Sequence, residues 1–410
     1  MMKIAIIGGG AAGLIGAVLC GREGFSVTIY EKADRCGRKL LATGNGQCNI
    51  DNQYVTTENY YGKNRNFTKV ALQMFDTEKN QLFWESIGVS LIAKENGKMY
   101  PRSLQAAAVL DLLRLCCQNL KVEEKTNTEI VEIKKKGNGF ILVDCSGGTY
   151  YADKVIVAAG GSASSGLGGS ESGYQLLKKL GHTLNKPLPA IVQLKTEQAN
   201  KALSGQKING IVTLLIENKK VRTEEGEILF TDYGLSGVPV LLVSAQCAMA
   251  LEQHKNVRIM VDMVPDMTVY ELKQYLWSRK ELMENVTLEN FLSGFLPKRI
   301  AQQSIKEALG IGLSAMVKSL TEENMDKIAK LLKEKTYKIM DTAGLKNAQA
   351  TLGGIHTDDF NPETMESYLV PNLFAVGEVL DICGDCGGYN LHWATSSVQL
   401  AVKAIVEESR

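Results

Sequence analysis

The first 49 residues constrain this chain more than any other part of its 410. An apolar run, Lys3–Ile7, leads directly into Gly8-Gly9-Gly10-Ala11-Ala12-Gly13. A helix-like run follows, then a second apolar run, Ser26–Tyr30, that ends on Glu31. Strand, glycine turn, helix, strand and acid in this order make a βαβ unit that holds a dinucleotide. Gly8 permits the sharp exit from the strand, Gly10 lets backbone approach a pyrophosphate, and Gly13 lets helix and strand pack closely. The helix N-terminus offers free N–H groups and partial positive charge to the phosphates. Glu31 is placed to accept hydrogen bonds from ribose hydroxyls, and its charge disfavours the 2′-phosphate of NADP.

A membrane reading competes for the same residues. Ile4–Gly21 holds no charge and Lys3 precedes it, as in a signal peptide or a spanning helix. Glycine recurs at 8, 9, 10, 13, 16 and 21, however, and Arg22 and Glu23 follow at once. The nucleotide turn accounts for these glycines and the membrane reading does not.

At this length two or three domains are expected. The formal net charge is +1 with both signs interspersed, so nothing in the charge balance points to nucleic acid or an anionic membrane. Nine scattered cysteines suit a reducing cytoplasm rather than a disulfide framework, and four dispersed histidines suggest no metal site.

Further along, Glu78–Ile87 reads as a helix capped by Asp76 or Thr77, and Ser90–Lys94 and Lys98–Tyr100 as short strands. A helix is expected from Pro101-Arg102-Ser103 to about Leu120, with Ser103 as N-cap. Glu129–Lys135, Phe140–Cys145 and Thr149–Ala152 read as an antiparallel meander, and Lys154–Gly161 as a buried strand ending in glycines. Composition shifts near Pro187 and Pro189. Gly210–Glu217, Lys220–Thr223 and Glu227–Thr231 then suggest a β-rich insert. After Pro265 the pattern is helical: Thr268 caps Val269–Lys280, Thr287 caps Leu288–Leu292, Pro297 opens a helix through Ala308, and Thr321 begins another. Strands return at Tyr337–Asp341, Ala348–Leu352 and Leu373–Val376, and Leu391–Glu408 reads as a closing helix. The implied domains are 1–189 with 345–410 for the nucleotide, 190–265 with 335–344 for the β insert, and 266–334 for the helical insert.

Three glycine-rich segments carry further chemistry. Gly37 to Asn49 supplies two cations, Arg38 and Lys39, then bare backbone and amides through Thr43, Gly44, Asn45, Gly46, Cys48 and Asn49. Such a loop can cover a pyrophosphate and lie against a flat ring. Ala159, Gly160 and Gly161 end a strand that can approach the adenosine half. Gly377 and Glu378, then Asp381, then Gly388, Tyr389, Asn390 and Leu391, bring an acid for a polyol chain and a helix N-terminus for negative charge on a reduced flavin.

These segments resemble a bacterial FAD flavoprotein family that includes aminoacetone-oxidase-like enzymes and the bile-acid-inducible dehydro-bile-acid reductase. The resemblance covers essentially the whole chain, through Gly8–Leu14, Glu31–Asn49, Met99–Ser103, Val157–Gly161, Gly234–Gly237 and Gly377–Asn390. It implies an α/β fold: a glutathione-reductase-like, FAD-binding Rossmann domain with an inserted β-barrel-like domain and an inserted helical domain. It also implies cofactor contacts at Gly8, Gly10, Ala11, Ala12, Gly13, Lys32 and Val131. The chain departs from the family pattern at Gln47, commonly Arg, at Asp232, commonly His, and at Val398, where a small residue is expected.

Tyr100, Arg102, Tyr233 and His392 are the candidate catalytic residues; each has a plain alternative as a packing or turn residue. Cys383-Gly-Asp-Cys386 has the spacing of a redox dithiol, but it opens no thioredoxin-like helix and Cys48 has no close partner. The leading functional expectation is an FAD-dependent oxidoreductase in which NADH or NADPH reduces the flavin. The reduced flavin then saturates an activated C=C in a small-molecule substrate, such as a 3-oxo steroid or dehydro-bile acid. No second glycine fingerprint marks a nicotinamide domain. The alternatives are an oxidase of a small amine and a flavin-holding regulatory protein.

Overall fold

The computed structural model describes residues 1–198 and 201–410. They form two compact units: Met1–Ala190 with Ala348–Arg410, and Ile191–Asn347.

The first unit is built on a five-stranded parallel sheet. Its strand order is Leu373–Ala375, Lys154–Val157, Lys3–Ile7, Ser26–Tyr30 and Glu123–Lys125. The central strands are near-continuous apolar runs because helices cover both faces of such a sheet. Ile6 stands between Ile29 and Ile156, all three fully buried. The helix Ala11–Arg22 lies against the closing helix, Tyr389–Ser409. Between them a Cβ on Gly16 would come within 2.8 Å of a Val398 methyl group. Gly16 thus makes the room that a larger residue at 398 requires. The antiparallel meander is Ile130–Lys136, Gly139–Asp144 and Thr149–Ala152. No helix among the described residues is long and apolar enough to cross a membrane.

The second unit is a closed six-stranded barrel with helices. Around the barrel run Leu194–Thr196, Gly234–Ser236, Lys219–Phe230, Lys207–Ile216, Val257–Asp262 and Lys335–Thr342. Val269–Leu282 and Glu322–Glu334 begin at capping boxes on Thr268 and Thr321, where side chain and backbone bond reciprocally over the first turn. The α/β class, the Rossmann domain, the barrel insert and the helical insertions are therefore as the sequence implies.

Several local expectations change. The helix expected from Pro101 begins only at Ala106, with Gln105 as N-cap and no side-chain cap bond. Pro101 completes the strand Lys98–Pro101, and Leu104 takes a left-handed φ of 53°, which breaks a helix started at Ser103. Lys220–Thr223 and Glu227–Thr231 are not two strands but one, Lys219–Phe230, carried through Gly226. Leu288–Leu292 contracts to a single 3₁₀ turn, Leu288–Asn290. Within the stretch read as wholly β-rich lies a 15-residue helix, Val238–Glu252. It carries no charge before Glu252, so no polar face betrays its period.

Candidate cofactor-binding and active site

In the first unit a cleft opens where the parallel strands end, the usual place for a ligand in such a sheet. It encloses about 1080 Å³ of open space, part of it continuous with solvent. Three glycines at its base have separate tasks. A Cβ on Gly8, which has φ +104°, would stand 2.5 Å from the Ala158 carbonyl oxygen, and one on Gly13 would stand 1.9 Å from that of Gly8. Gly10 has no atom within 4 Å of the same point and faces the open cleft.

Glu31 is fixed by backbone. Its Oε2 accepts from Gly9 N–H at 2.7 Å and its Oε1 from Ala33 N–H at 2.8 Å. Each carboxylate oxygen keeps a lone pair for a ribose hydroxyl. Across the cleft Lys39 Nζ donates to Glu378 Oε2 at 2.7 Å, and Glu378 Oε1 also accepts from Thr351 N–H at 2.8 Å. Gly377 is held twice by the closing helix: Trp393 Nε1 donates to its carbonyl at 3.1 Å, and its N–H donates to Ser397 Oγ at 3.0 Å.

Of the cofactor residues read from sequence, the cleft is lined by Gly8, Gly10, Ala11, Ala12, Glu31, Arg38, Lys39, Thr43, Ala159, Gly160, Gly161, Gly377, Glu378, Asn390 and Leu391. Gly13 lies beneath it. Lys32 lines a smaller pocket that shares Gly8, Glu31 and Ala159 with the cleft. There Ile130 lines the space, whereas the Val131 carbonyl accepts from Lys179 Nζ at 2.9 Å. Gly44, Asn45, Gly46, Cys48 and Asn49 are not in the lining. Gly44, Asn45, Gly46 and Cys48 have left-handed φ angles, and they fold the loop back toward Asn49. The Asn49 amide donates to the Met99 and Asp51 carbonyls and accepts from Gly388 N–H. Gly388 caps the closing helix, and the Tyr389 carbonyl accepts from Tyr60 OH at 3.0 Å. Asp381 also stands apart from the lining. Its Oδ2 accepts from Lys63 N–H and Asn185 Nδ2, and burial pushes its carboxyl above the usual range.

The candidate catalytic residues separate. Tyr100 is half-buried, beside the turn at Gly44, with Lys94 Nζ 4.8 Å from its ring centroid. Burial, and then Cys386, hold its phenol above the usual pKa, so it keeps its proton at neutral pH. Arg102 is exposed, and its backbone N–H donates to the Ser90 carbonyl at 2.8 Å, extending the antiparallel pairing of Leu91–Ala93 with Lys98–Pro101. Tyr233 belongs to the second unit and is 38 % exposed. His392 does not face the cleft; it is fully buried on the far side of the closing helix, bonded to Asp51 at 2.6 Å.

The thiols are poor nucleophiles. Burial pushes Cys48 up to about 11, and burial, then Glu378, drives Cys383 well above its ordinary value. Cys386 is raised as well, again chiefly by burial. The reactive species is the thiolate, so this environment disfavours a thiol relay. Among the described residues no group of three or more His, Cys, Asp or Glu is placed to hold a metal ion.

Sequence reading missed the loop Leu167-Gly168-Gly169, which lines the cleft, and Gln349, Ala350 and Ala394. The first had a signal: Gly160–Gly173 holds six glycines and five serines in fourteen residues. Ala394 had one too, in its place a helical turn after Asn390, whereas Gln349 and Ala350 had none, since their neighbours in space lie far away in sequence.

A family model described as HI0933-like protein Rossmann domain matches residues 2–404. The chain belongs to this family. It is 34 % identical to the 3-dehydro-bile acid delta(4,6)-reductase of Clostridium scindens, over 99 % of this chain and all of that one. It is 30 % identical to the ribosomal RNA dihydrouridine synthase of Escherichia coli, over 98 % and 97 % of the two chains. Among solved structures it is similar to a 3-ketosteroid-delta4-(5alpha)-dehydrogenase from Rhodococcus jostii, at 13 % identity and a TM-score of 0.49, covering 99 % and 97 %. This HI0933-like protein is an FAD-dependent oxidoreductase. The residues of its cleft fit that cofactor: Gly10 and Gly160 leave open space where a pyrophosphate and an adenosine need close approach. Glu31 and Glu378 both line this space, where their carboxylates would serve as acceptors for a ribose and for a polyol chain.

Proposed function

We propose that this FAD-dependent oxidoreductase saturates a C=C conjugated with a carbonyl in a small molecule of the 3-oxo steroid or dehydro-bile-acid kind, with NADH or NADPH as electron donor. The observation that carries the reading is the end-to-end match to the bile acid reductase. The second relative's name denotes reduction of a uracil ring, whose C=C is also conjugated with a carbonyl. The chemistry is therefore shared, and only the molecule that presents the bond differs. Bound FAD supplies the electron pair.

The chain's own residues supply placement and a proton. Tyr100 keeps its phenolic proton at neutral pH and is our candidate general acid for the carbon next to the carbonyl. The start of the closing helix carries a partial positive charge that stabilises negative charge in the cleft. Asn390 holds that start in place, because its amide both accepts from Gly384 N–H and donates to the Gly384 carbonyl, each at 2.9 Å. The net charge of +1 offers no bulk attraction for a phosphodiester backbone, which favours the small molecule over RNA.

Anaerobic stopped-flow measurements test the reading. NADH or NADPH should bleach the visible flavin band, and a 3-oxo-4-ene steroid or bile acid should restore it while losing its own enone absorbance. Restoration only by a uridine-containing ribosomal RNA fragment would move the assignment to RNA. Bleaching by an amine alone would replace the reductase with an oxidase.

A further inference from the structure

One wall of the cleft is the start of the closing helix, where Asn390, Leu391, Trp393 and Ala394 line the space. The same helix carries His392, Ser396 and Gln399 at i, i+4 and i+7, a spacing that puts them on one face. That face is turned into the protein: His392 and Ser396 are wholly buried and Gln399 is 9 % exposed. A core-facing stripe is ordinarily apolar, and this one is polar.

Each member has a partner from a distant segment. His392 Nδ1 donates to Asp51 Oδ1 at 2.6 Å. Asn80 Nδ2 donates to Ser396 Oγ at 3.0 Å, and Gln399 Nε2 donates to Asn80 Oδ1 at 2.6 Å. Asp51 is itself buried, two residues beyond Asn49, and its carbonyl oxygen would lie 2.1 Å from a Cβ on Gly388, the helix N-cap.

The arrangement is costly. Asp51 Oδ2 and His392 Nε2 are buried and have no hydrogen-bond partner among the described residues. Orphaned buried polar atoms destabilise, and replacing both partners of a buried polar contact by apolar groups of similar shape is often neutral or stabilising. Stability alone does not explain the stripe. Direction does: apolar contacts act through area and tolerate a slide or rotation, whereas these hydrogen bonds close in one register only.

We propose that His392, Asp51, Asn80, Ser396 and Gln399 are positioning residues that set the rotation and axial register of the closing helix. Through that helix they hold Asn390, Leu391, Trp393 and the Gly377 turn against the bound cofactor. The proposal rests on FAD as the occupant of the cleft and is indifferent to the substrate.

The test is the double variant Asp51→Leu with His392→Leu, titrated as apoprotein with FAD, with the flavin spectrum and the melting temperature recorded alongside. Expected are a melting temperature at or near that of the parent, FAD binding weakened at least tenfold, and a shifted flavin band. Parent-like FAD affinity and spectrum in the folded double variant overturn the proposal. Phe140→Leu, a buried change in the meander, should lower the melting temperature while leaving FAD affinity within twofold. If it weakens FAD as much as the double variant, the effect is general destabilisation and the proposal fails. Should the double variant not fold, Gln399→Met, which removes one hydrogen bond and no charge, carries the test. It should weaken FAD about threefold, and an unchanged affinity overturns the proposal.

Discussion

The two walls of the cofactor cleft are made by different physics. The N-terminal wall, Gly8 to Gly13, is glycine and alanine backbone packed at steric limits, with Glu31 holding only the Gly9 N–H by a side chain. The C-terminal wall, Gly377 to Ala394, is held by side-chain hydrogen bonds: Lys39 to Glu378, Trp393 and Ser397 to Gly377. Steric limits are nearly all-or-none, because a carbon cannot share space with a carbonyl oxygen. Hydrogen bonds fail one at a time, each costing about 1 kcal/mol net. Damage to the first wall should therefore abolish cofactor binding, and damage to the second should grade it.

Gly13→Ala is the severest way to try that difference. Its methyl group would stand 1.9 Å from the Gly8 carbonyl oxygen. The variant should purify without FAD and lose about 3 kcal/mol of stability, the upper range for overpacking. A yellow, stably folded Gly13→Ala would break the steric account.

Glu31→Gln comes next, since Glu31 ends the strand beside the glycine wall but acts through charge. It removes the anionic acceptor for the Gly9 and Ala33 N–H groups. FAD binding should weaken roughly tenfold to a hundredfold, as hydrogen bonds to a charged group are worth about 1.5–3 kcal/mol. Titration of the apoprotein reads this directly, and a change below twofold would show that the carboxylate's charge is idle.

Trp393→Phe tests the second wall. It keeps a ring in place and deletes only the Nε1–H bond to Gly377. The expected loss is about fivefold in FAD affinity, from roughly 1 kcal/mol. Total loss of FAD would contradict a graded wall.

Asp144→Asn touches neither wall and sets the baseline. Bonds from Ser146 and Tyr150 lower the Asp144 pKa to about 2 from an ordinary 3.8. The folded protein thus binds fewer protons there, so the stabilisation is present above about pH 4 and is lost as pH falls toward 2. The variant should flatten this part of the acid-unfolding profile and leave FAD affinity unchanged at neutral pH. Acid profiles that superimpose with those of the parent would remove Asp144 from the account.

Legibility in sequence follows the same division. Gly8, Gly10, Gly13 and Glu31 are readable because their partners lie within one βαβ unit, and the spacing itself encodes the geometry. The capping boxes at Thr268 and Thr321 are local in the same way. His392 is the opposite case. Sequence places it beside Asn390 and Leu391 and so suggests the cleft, yet one residue along a helix is a turn of about 100°. That rotation carries it to Asp51, 341 positions away. The helix Val238–Glu252 escaped for another reason: an uncharged run shows no period, and burial on most sides leaves none to show.

By itself, the sequence determined what depends on neighbours along the chain: the strand–turn–helix grip, the acid for a ribose, the helix caps, and the resemblance that implies FAD. Tertiary structure alone decided which side of the closing helix meets the cofactor and which residues pin it. It also decided that Glu378 pairs with Lys39 and that Gly16 yields space to Val398. Those outcomes arise from contacts between segments hundreds of residues apart. Steric fit and buried hydrogen bonds select among them, and neither leaves a local pattern to read.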